Sequence, residues 1–323
     1  MKHIFIVNPA AGKGKLLPSL LAKITYDCQE AGVDYEIHHT TTVGDGTKFV
    51  AEKCRENPDE PLRFYACGGD GTVNEVVNGI VSFPNAELAV VPVGTGNDFI
   101  KSFSHSENFS DISNLIAGHT MRSDVIKYNK RYSVNILNIG FDCAVVQKVE
   151  QIKRSALVPQ SMSYTFGVVS TLMKNYGDRF RLTTDTGETF DGEFLLCIFA
   201  NASYYGGGYK AGPLAAINDG LMDVCVVDKV PRSKFIAMIE KFKNGTMVNE
   251  MEKYPFYHYM KCKKVTFDSE RPIGVCADGE ISPARHLEIE VIPNALTVVV
   301  PKGSKCLASL KKPKQAKQTD QNN

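Results

Sequence analysis

The stretch FYACGGDGTVNEVVNGI (residues 64–80) runs a strand into a glycine-rich turn, and the turn into a helix. LRFYAC (62–67) is an apolar run of strand length. Gly68, Gly69 and Gly71 lack Cβ atoms, so backbone N–H groups of the turn can come within contact distance of a phosphate. Thr72 stands where it can cap the helix, and Glu75 three residues on completes a T-x-x-E capping box. Val73, Val76, Val77 and Ile80 then make one apolar face, which aims the positive end of the helix at the glycines. Asp70 is the odd member, because a carboxylate repels phosphate. It makes sense if Mg²⁺ lies between them, or if it takes the proton of an attacking hydroxyl.

Two neighbouring segments repeat the design. VPVGTGNDF follows the next strand and carries Gly94, Thr95, Gly96, Asn97 and Asp98; NPAAGKG follows the first strand and carries Asn8, Gly12, Lys13 and Gly14. HIFIV, DYEIHHT, LRFYAC and AELAVVPV read as strands, with helical text between them, so the first part is a Rossmann-like α/β layer of parallel strands. Three glycine-bearing loops then share the carboxyl edge of one sheet, where such folds place ligands.

From about Asp124 the text changes to strands separated by turn signals, with two helical exceptions, one in SMSYTFGVVSTLMKNYG and one in RSKFIAMIEKFKNG. TDTG and PNA (293–295) read as turns. The fold class is therefore α/β plus β. A Rossmann-like nucleotide-binding domain spans 1–124, and a mostly antiparallel β-sandwich spans 125–300, with the active site in the cleft between. Residues 301–312 are expected to pack back on the first domain, and 313–323 to form a disordered tail.

Composition excludes several classes. A net charge of +1 over 323 residues gives no global attraction for polyanions, and no basic face with interleaved aromatics suggests nucleic acid. Nine scattered cysteines without a C-x-x-C pair point to reduced thiols rather than a disulfide frame or zinc knuckle. Apolar runs are of strand length only, so the reading is of a soluble, cytoplasmic protein.

GGDGTVNEV, VPVGTGNDF, NPAAGKG, SDVIKYNKRYSVNILNIGFDCAVV and the late ADGE together resemble the diacylglycerol kinase catalytic-domain family, most of all its soluble bacterial lipid kinases. The likeness runs in order from residue 4 to about 300. It implies transfer of the ATP γ-phosphate to the primary hydroxyl of diacylglycerol or a similar lipid alcohol, with Mg²⁺. It also implies an ATP site at Asn8, Pro9, Ala10, Ala11 and Gly12, at Thr41, at Gly68, Gly69, Asp70, Gly71, Thr72 and Glu75, and at Thr95 and Asn97. Asp70 and Asp98 would hold the catalytic ion.

The same likeness makes Glu280 of Asp278-Gly279-Glu280 the general base, beside Asp70 and Asp124 as catalytic acids. Without it, Asp-Gly-Glu is a turn sequence and Asp124 an aspartate before a strand. AAINDGLMDV resembles a segment that binds a structural Mg²⁺ through Ala216, Asp219 and Leu221. Asn218 departs from that pattern, since relatives often carry a second aspartate there.

A lipid acceptor requires transient peripheral contact with the inner face of the membrane. KRSALVPQSMSYTFGVVSTLMKNYGDRFR, with Tyr164, Phe166 and Tyr176, fits an interfacial element, although a helix packed on the sandwich is the favoured reading. The lysine-rich tail would add about 1 kcal/mol per lysine near anionic lipid. YPFYHYM could ring an acyl pocket or fill a core, and SYYGGGYKAGP could flank the acceptor cleft. A homodimer suits the resemblance. The competing readings are a nucleotide kinase of the NAD kinase type, which shares GGDGT, and a non-catalytic nucleotide- or lipid-binding relative.

Overall fold

The structure, a computed structural model, describes residues 1–140, 143 and 177–310. The proposed interfacial segment up to Tyr176 and the tail from 311 lie outside the described residues.

The first layer alternates as its sequence demands. β1 (Lys2–Val7), α1 (Leu17–Ala31), β2 (Tyr35–His39), α2 (Asp45–Glu56), β3 (Leu62–Gly68), α3 (Asp70–Ile80) and β4 (Ala86–Pro92) follow one another. The strands pair in parallel in the order β2-β1-β3-β4. β3 is buried at every position, as expected of a parallel strand covered on both faces. α1 ends at Gly32, whose left-handed backbone (φ 62°) lets the Val33 amide close on the Cys28 carbonyl at 3.1 Å.

α4 (Ile112–Ile116) leads into β5 (His119–Tyr128), β6 (Arg131–Ser133) and β7 (Ile136–Gly140). Beyond residue 177 come β8 (Asp178–Thr184), β9 (Thr189–Ala200), β10 (Met222–Asp228), α5 (Arg232–Lys243), β11 (Tyr257–Cys262), β12 (Lys264–Ala277) and β13 (Glu280–Val300). Their pairings with one another are antiparallel, and TDTG is the β8–β9 hairpin turn. In YPFYHYM, Phe256 and Tyr257 are buried in a core beneath Phe235 and Phe242 of α5, so the aromatics fill that core. All nine cysteines are buried and no disulfide joins them.

β13 departs from expectation in two ways. PNA was expected to reverse the chain, but it is a bulge inside one continuous strand, where the pairing with β5 shifts register between Ile292 and Leu296. Asn294 takes positive φ there (53°), a conformation an asparagine tolerates better than most side chains. Past the bulge the strand leaves the sandwich and pairs in parallel with β4, Val298 opposite Leu88. The final strand, assigned from sequence to the second domain, thus completes the first sheet. Residues 302–306 then lie along the segment 103–108, with Ser104 N–H on the Lys305 carbonyl at 2.8 Å.

Asp124 locks this crossing. It is buried in β5, and its oxygens accept the Gly220 amide (2.7 Å) and the Asn294 amide at the bulge (2.8 Å). Asp124→Ala would leave both amides without this acceptor. It is expected to cost about 2–4 kcal/mol in urea unfolding, and a loss below 1 kcal/mol would contradict this holding role.

Candidate active site

Four loops meet at the carboxyl edge of the parallel sheet. Gly69 and Gly94 bring the two glycine turns into backbone contact: a Cβ on Gly94 would fall 2.5 Å from the Gly69 Cα. Val93 and Gly94 donate their amides to the Gly68 carbonyl, at 2.9 and 3.2 Å. The first loop joins them through Asn8, whose side-chain amide reaches Thr72 Oγ1 at 3.4 Å and whose Oδ1 accepts the Ala10 amide at 3.0 Å. Asn97, at positive φ, spans its own turn by donating to the Gly94 carbonyl (2.8 Å).

The capping box is not formed. α3 begins at Asp70 with Gly69 as its extended N-cap, and no side chain caps it. Glu75 instead reaches across to the next loop, accepting the amides of Gly44 and Gly46, both at 2.9 Å. Two charge-assisted bonds to otherwise unpartnered amides at the start of α2 outweigh one bond back to its own turn. Asp45, also at the start of α2, accepts the Thr41 amide (2.8 Å) and hydroxyl (3.1 Å), which completes the edge.

Asp70 and Asp98 stand side by side. The Asp98 amide donates to Asp70 Oδ1 at 2.7 Å. The other Asp70 oxygen faces the bare Cα of Gly96, where a Cβ would sit 2.6 Å away. Asp98 is buried and fully engaged: Lys101 pairs with one oxygen, and the Gly207 amide of the glycine-rich loop donates to the other at 2.9 Å. Burial, then the charge of Asp98, push the Asp70 carboxyl up to about 6, and Asp278 adds to the effect. An oxygen left facing a glycine, on a carboxylate crowded by negative charge, suits a cation.

Asp278 comes from the second half. It is half-buried at positive φ (48°) in the turn between β12 and β13. Its carboxylate accepts Asn74 Nδ2 of α3 (2.9 Å), Ser133 Oγ (2.7 Å) and the amides of Val134, Asn135 and Ile136 (2.9–3.1 Å). Glu280, two residues on, is partly exposed and ion-paired with Arg131. The DGE turn is therefore fastened directly to the helix that starts at Asp70.

The remaining expected positions lie elsewhere. Asp124 belongs to the clamp on β13 and not to this edge. Asp219 turns Oδ1 to the amide of Leu221 (3.1 Å) and Oδ2 to Lys261 Nζ (2.7 Å), so both oxygens of the one carboxylate expected to hold a structural Mg²⁺ are already engaged. That segment does not fit the ion.

Comparison with known proteins agrees with this geometry. Residues 2–128 match the model of the diacylglycerol kinase catalytic domain, and residues 135–300 match that of the YegS C-terminal NAD kinase beta sandwich-like domain. A diacylglycerol kinase of Staphylococcus saprophyticus is 31% identical over 85% of this chain and 87% of its own length. The chain belongs to the diacylglycerol kinase family. A diacylglycerol kinase of Staphylococcus aureus is 30% identical over 88% of this chain and 89% of its own. The crystal structure of a diacylglycerol kinase from Bacillus anthracis superposes with a TM-score of 0.66 at 25% identity, over 93% of this chain and 97% of that one. The chain is thus a kinase of the lipid-kinase branch, with ATP as phosphate donor.

Within this diacylglycerol kinase fold, sequence reading missed Lys101, Gly207 and Asn74 as partners of the acidic group. Asn74 sits inside the GGDGT helix and was legible as a polar residue on a face otherwise apolar. Lys101 carried no local signal, and Gly207 lies in SYYGGGYKAGP, which was read only as a flank of the acceptor cleft.

The raised Asp70 value has a stability consequence. A folded-state pKa above the unfolded 3.8 means the native protein binds that proton more tightly, so the charged form is penalised as pH rises through about 6. Asp70→Asn keeps the acceptor for Asp98 and removes the charge. It should be more stable than wild type near pH 7.5, by about 1–2 kcal/mol after allowing for solvent screening, and equally stable near pH 4. Equal differences at both pH values in urea unfolding would contradict the assignment.

Proposed function

We propose that the enzyme transfers the ATP γ-phosphate to the primary hydroxyl of diacylglycerol, giving phosphatidic acid, at the crevice where the GGDGT loop meets the DGE turn. The observation that supports it is the Asn74–Asp278 bond, with the field of Asp278 felt at Asp70, because it ties the base-bearing turn to the phosphate loops.

In this reading, amides of the turns at Gly68–Thr72 and Thr95–Asn97 hold the phosphates, joined by the Asn8–Gly12 and Thr41 loops. These amides are rigid because the loops hydrogen-bond one another, and such preorganisation accounts for most of phosphoryl-transfer catalysis. Mg²⁺ would be held by the Asp70 oxygen that faces Gly96, with Asp98 kept behind it by Lys101 and the Gly207 amide, and would neutralise phosphate charge. Glu280 takes the proton from the lipid hydroxyl as that oxygen attacks the γ-phosphorus and ADP leaves. Arg131 fixes the Glu280 carboxylate in place. Asp124 serves as a positioning residue through the β13 bulge. No helix among the described residues is long and apolar enough to cross a membrane, so the acceptor would be met at the bilayer surface.

The test offers labelled Mg-ATP with diacylglycerol micelles and, in parallel, NAD. Label should enter phosphatidic acid. Glu280→Gln and Asp70→Asn should each lower kcat by at least about 10²-fold, the usual contribution of a proton-transfer group. Label in NAD, label in neither acceptor, or an unimpaired Glu280→Gln would overturn the reading.

A further inference from the structure

The loop at 214–221 and the outer strands of the sandwich enclose a cation of the chain's own making. Lys261 stands on β11 directly opposite Asp223 on β10. Its Nζ lies 2.7 Å from Asp219 Oδ2 and 2.9 Å from Asp223 Oδ2, and donates to the Leu214 carbonyl at 3.3 Å. Two carboxylate oxygens and a backbone carbonyl are the donor set of a hard divalent ion. Here the ammonium hydrogen-bonds Asp219 and the Leu214 carbonyl, and lies in ion-pair range of Asp223 Oδ2, which accepts no hydrogen bond.

The neighbours of this seat hold its two carboxylates in place around Lys261. Asp223 has no side-chain exposure, and its second oxygen accepts Tyr259 Oη at 2.7 Å. The Leu214 amide donates to that same Tyr259 oxygen (3.2 Å), so the loop is tied at its start. Asp219 spends its other oxygen on the Leu221 amide, tying the loop at its end. Residue 218 is a neutral asparagine, so it adds no further negative charge beside these two carboxylates. A buried carboxylate without a partner would cost several kcal/mol, which makes some cation obligatory here.

We propose that the Lys261 ammonium is the resident cation of this seat, in place of the structural Mg²⁺ that the segment at 216–221 was expected to bind, and that the loop folds without a divalent ion. The consequence reaches the sheet crossing. Ile217 accepts the Asp124 amide (2.7 Å) and the Ser123 hydroxyl (3.1 Å) on its carbonyl, and Gly220 donates to Asp124. Lys261 thus acts on Asp124 through this loop, as a positioning residue, whichever lipid is the acceptor.

Thermal unfolding of the nucleotide-free, full-length chain tests this with EDTA or MgCl₂ as the only variable. The quantity read is the Mg²⁺-induced rise in Tm of Lys261→Met minus that of wild type, which subtracts any ion bound elsewhere. Lys261→Met in EDTA should melt several degrees below wild type and recover part of the loss in MgCl₂, because Mg²⁺ can then enter the vacated seat. A difference of zero, or a larger Mg²⁺ response in wild type, overturns the proposal. Should the variant not fold, wild-type crystals soaked in MnCl₂ decide. No anomalous peak bonded to Asp219 is the expected result, and such a peak overturns it.

Discussion

The contact between Gly69 and Gly94 is the constraint on which the site depends. Adjacent parallel strands end level with each other, so the turns that leave β3 and β4 must pass in the same space. They can do so only as bare backbone, since even one Cβ on Gly94 would overlap the Gly69 Cα. Once the turns touch, the Asp98 amide falls on Asp70, and two carboxylates are forced together with few solvent contacts. The raised pKa of Asp70 follows from that crowding. Local strain of this kind is tolerable where a bound cation and phosphates relieve it.

The second dependence is β13. One strand of 21 residues belongs to both halves, pairing with β12 in the sandwich and with β4 in the parallel sheet. Its first residue is Glu280, and its bulge is held by Asp124. The turn that carries Glu280 and the glycine loops are therefore positioned by the same continuous ladder of backbone hydrogen bonds, reinforced by Asp278 on Asn74. A cleft between loosely linked domains would need closure before chemistry; this arrangement starts with its two sides already tied.

Much of this was legible in the sequence because it is local. Alternating strand and helix text, the apolar face of α3 and the glycine turns are decided within a few residues. The stripe of α5 and its Asn244-Gly245 end were equally plain. What escaped the sequence depends on residues far apart. Glu75 matched a capping pattern, yet its carboxylate found better donors 29 and 31 residues earlier. Pro293-Asn294-Ala295 has turn composition, but β5 on one side and β4 beyond kept the chain extended. Asp219 sat in an ion-binding pattern, while the cation that reaches it lies 42 residues downstream. In each case local propensity was real and a long-range partner won.

The most direct test of the account is a crystal structure of the enzyme with a non-hydrolysable ATP analogue and Mg²⁺. The triphosphate is predicted against the amides of Gly68–Thr72 and Thr95–Asn97, with its outermost phosphate facing Glu280 and the metal on Asp70. A nucleotide seated instead in the cleft lined by Lys101, Tyr204 and Lys210 would contradict it, since the glycine turns would then have no phosphate to hold.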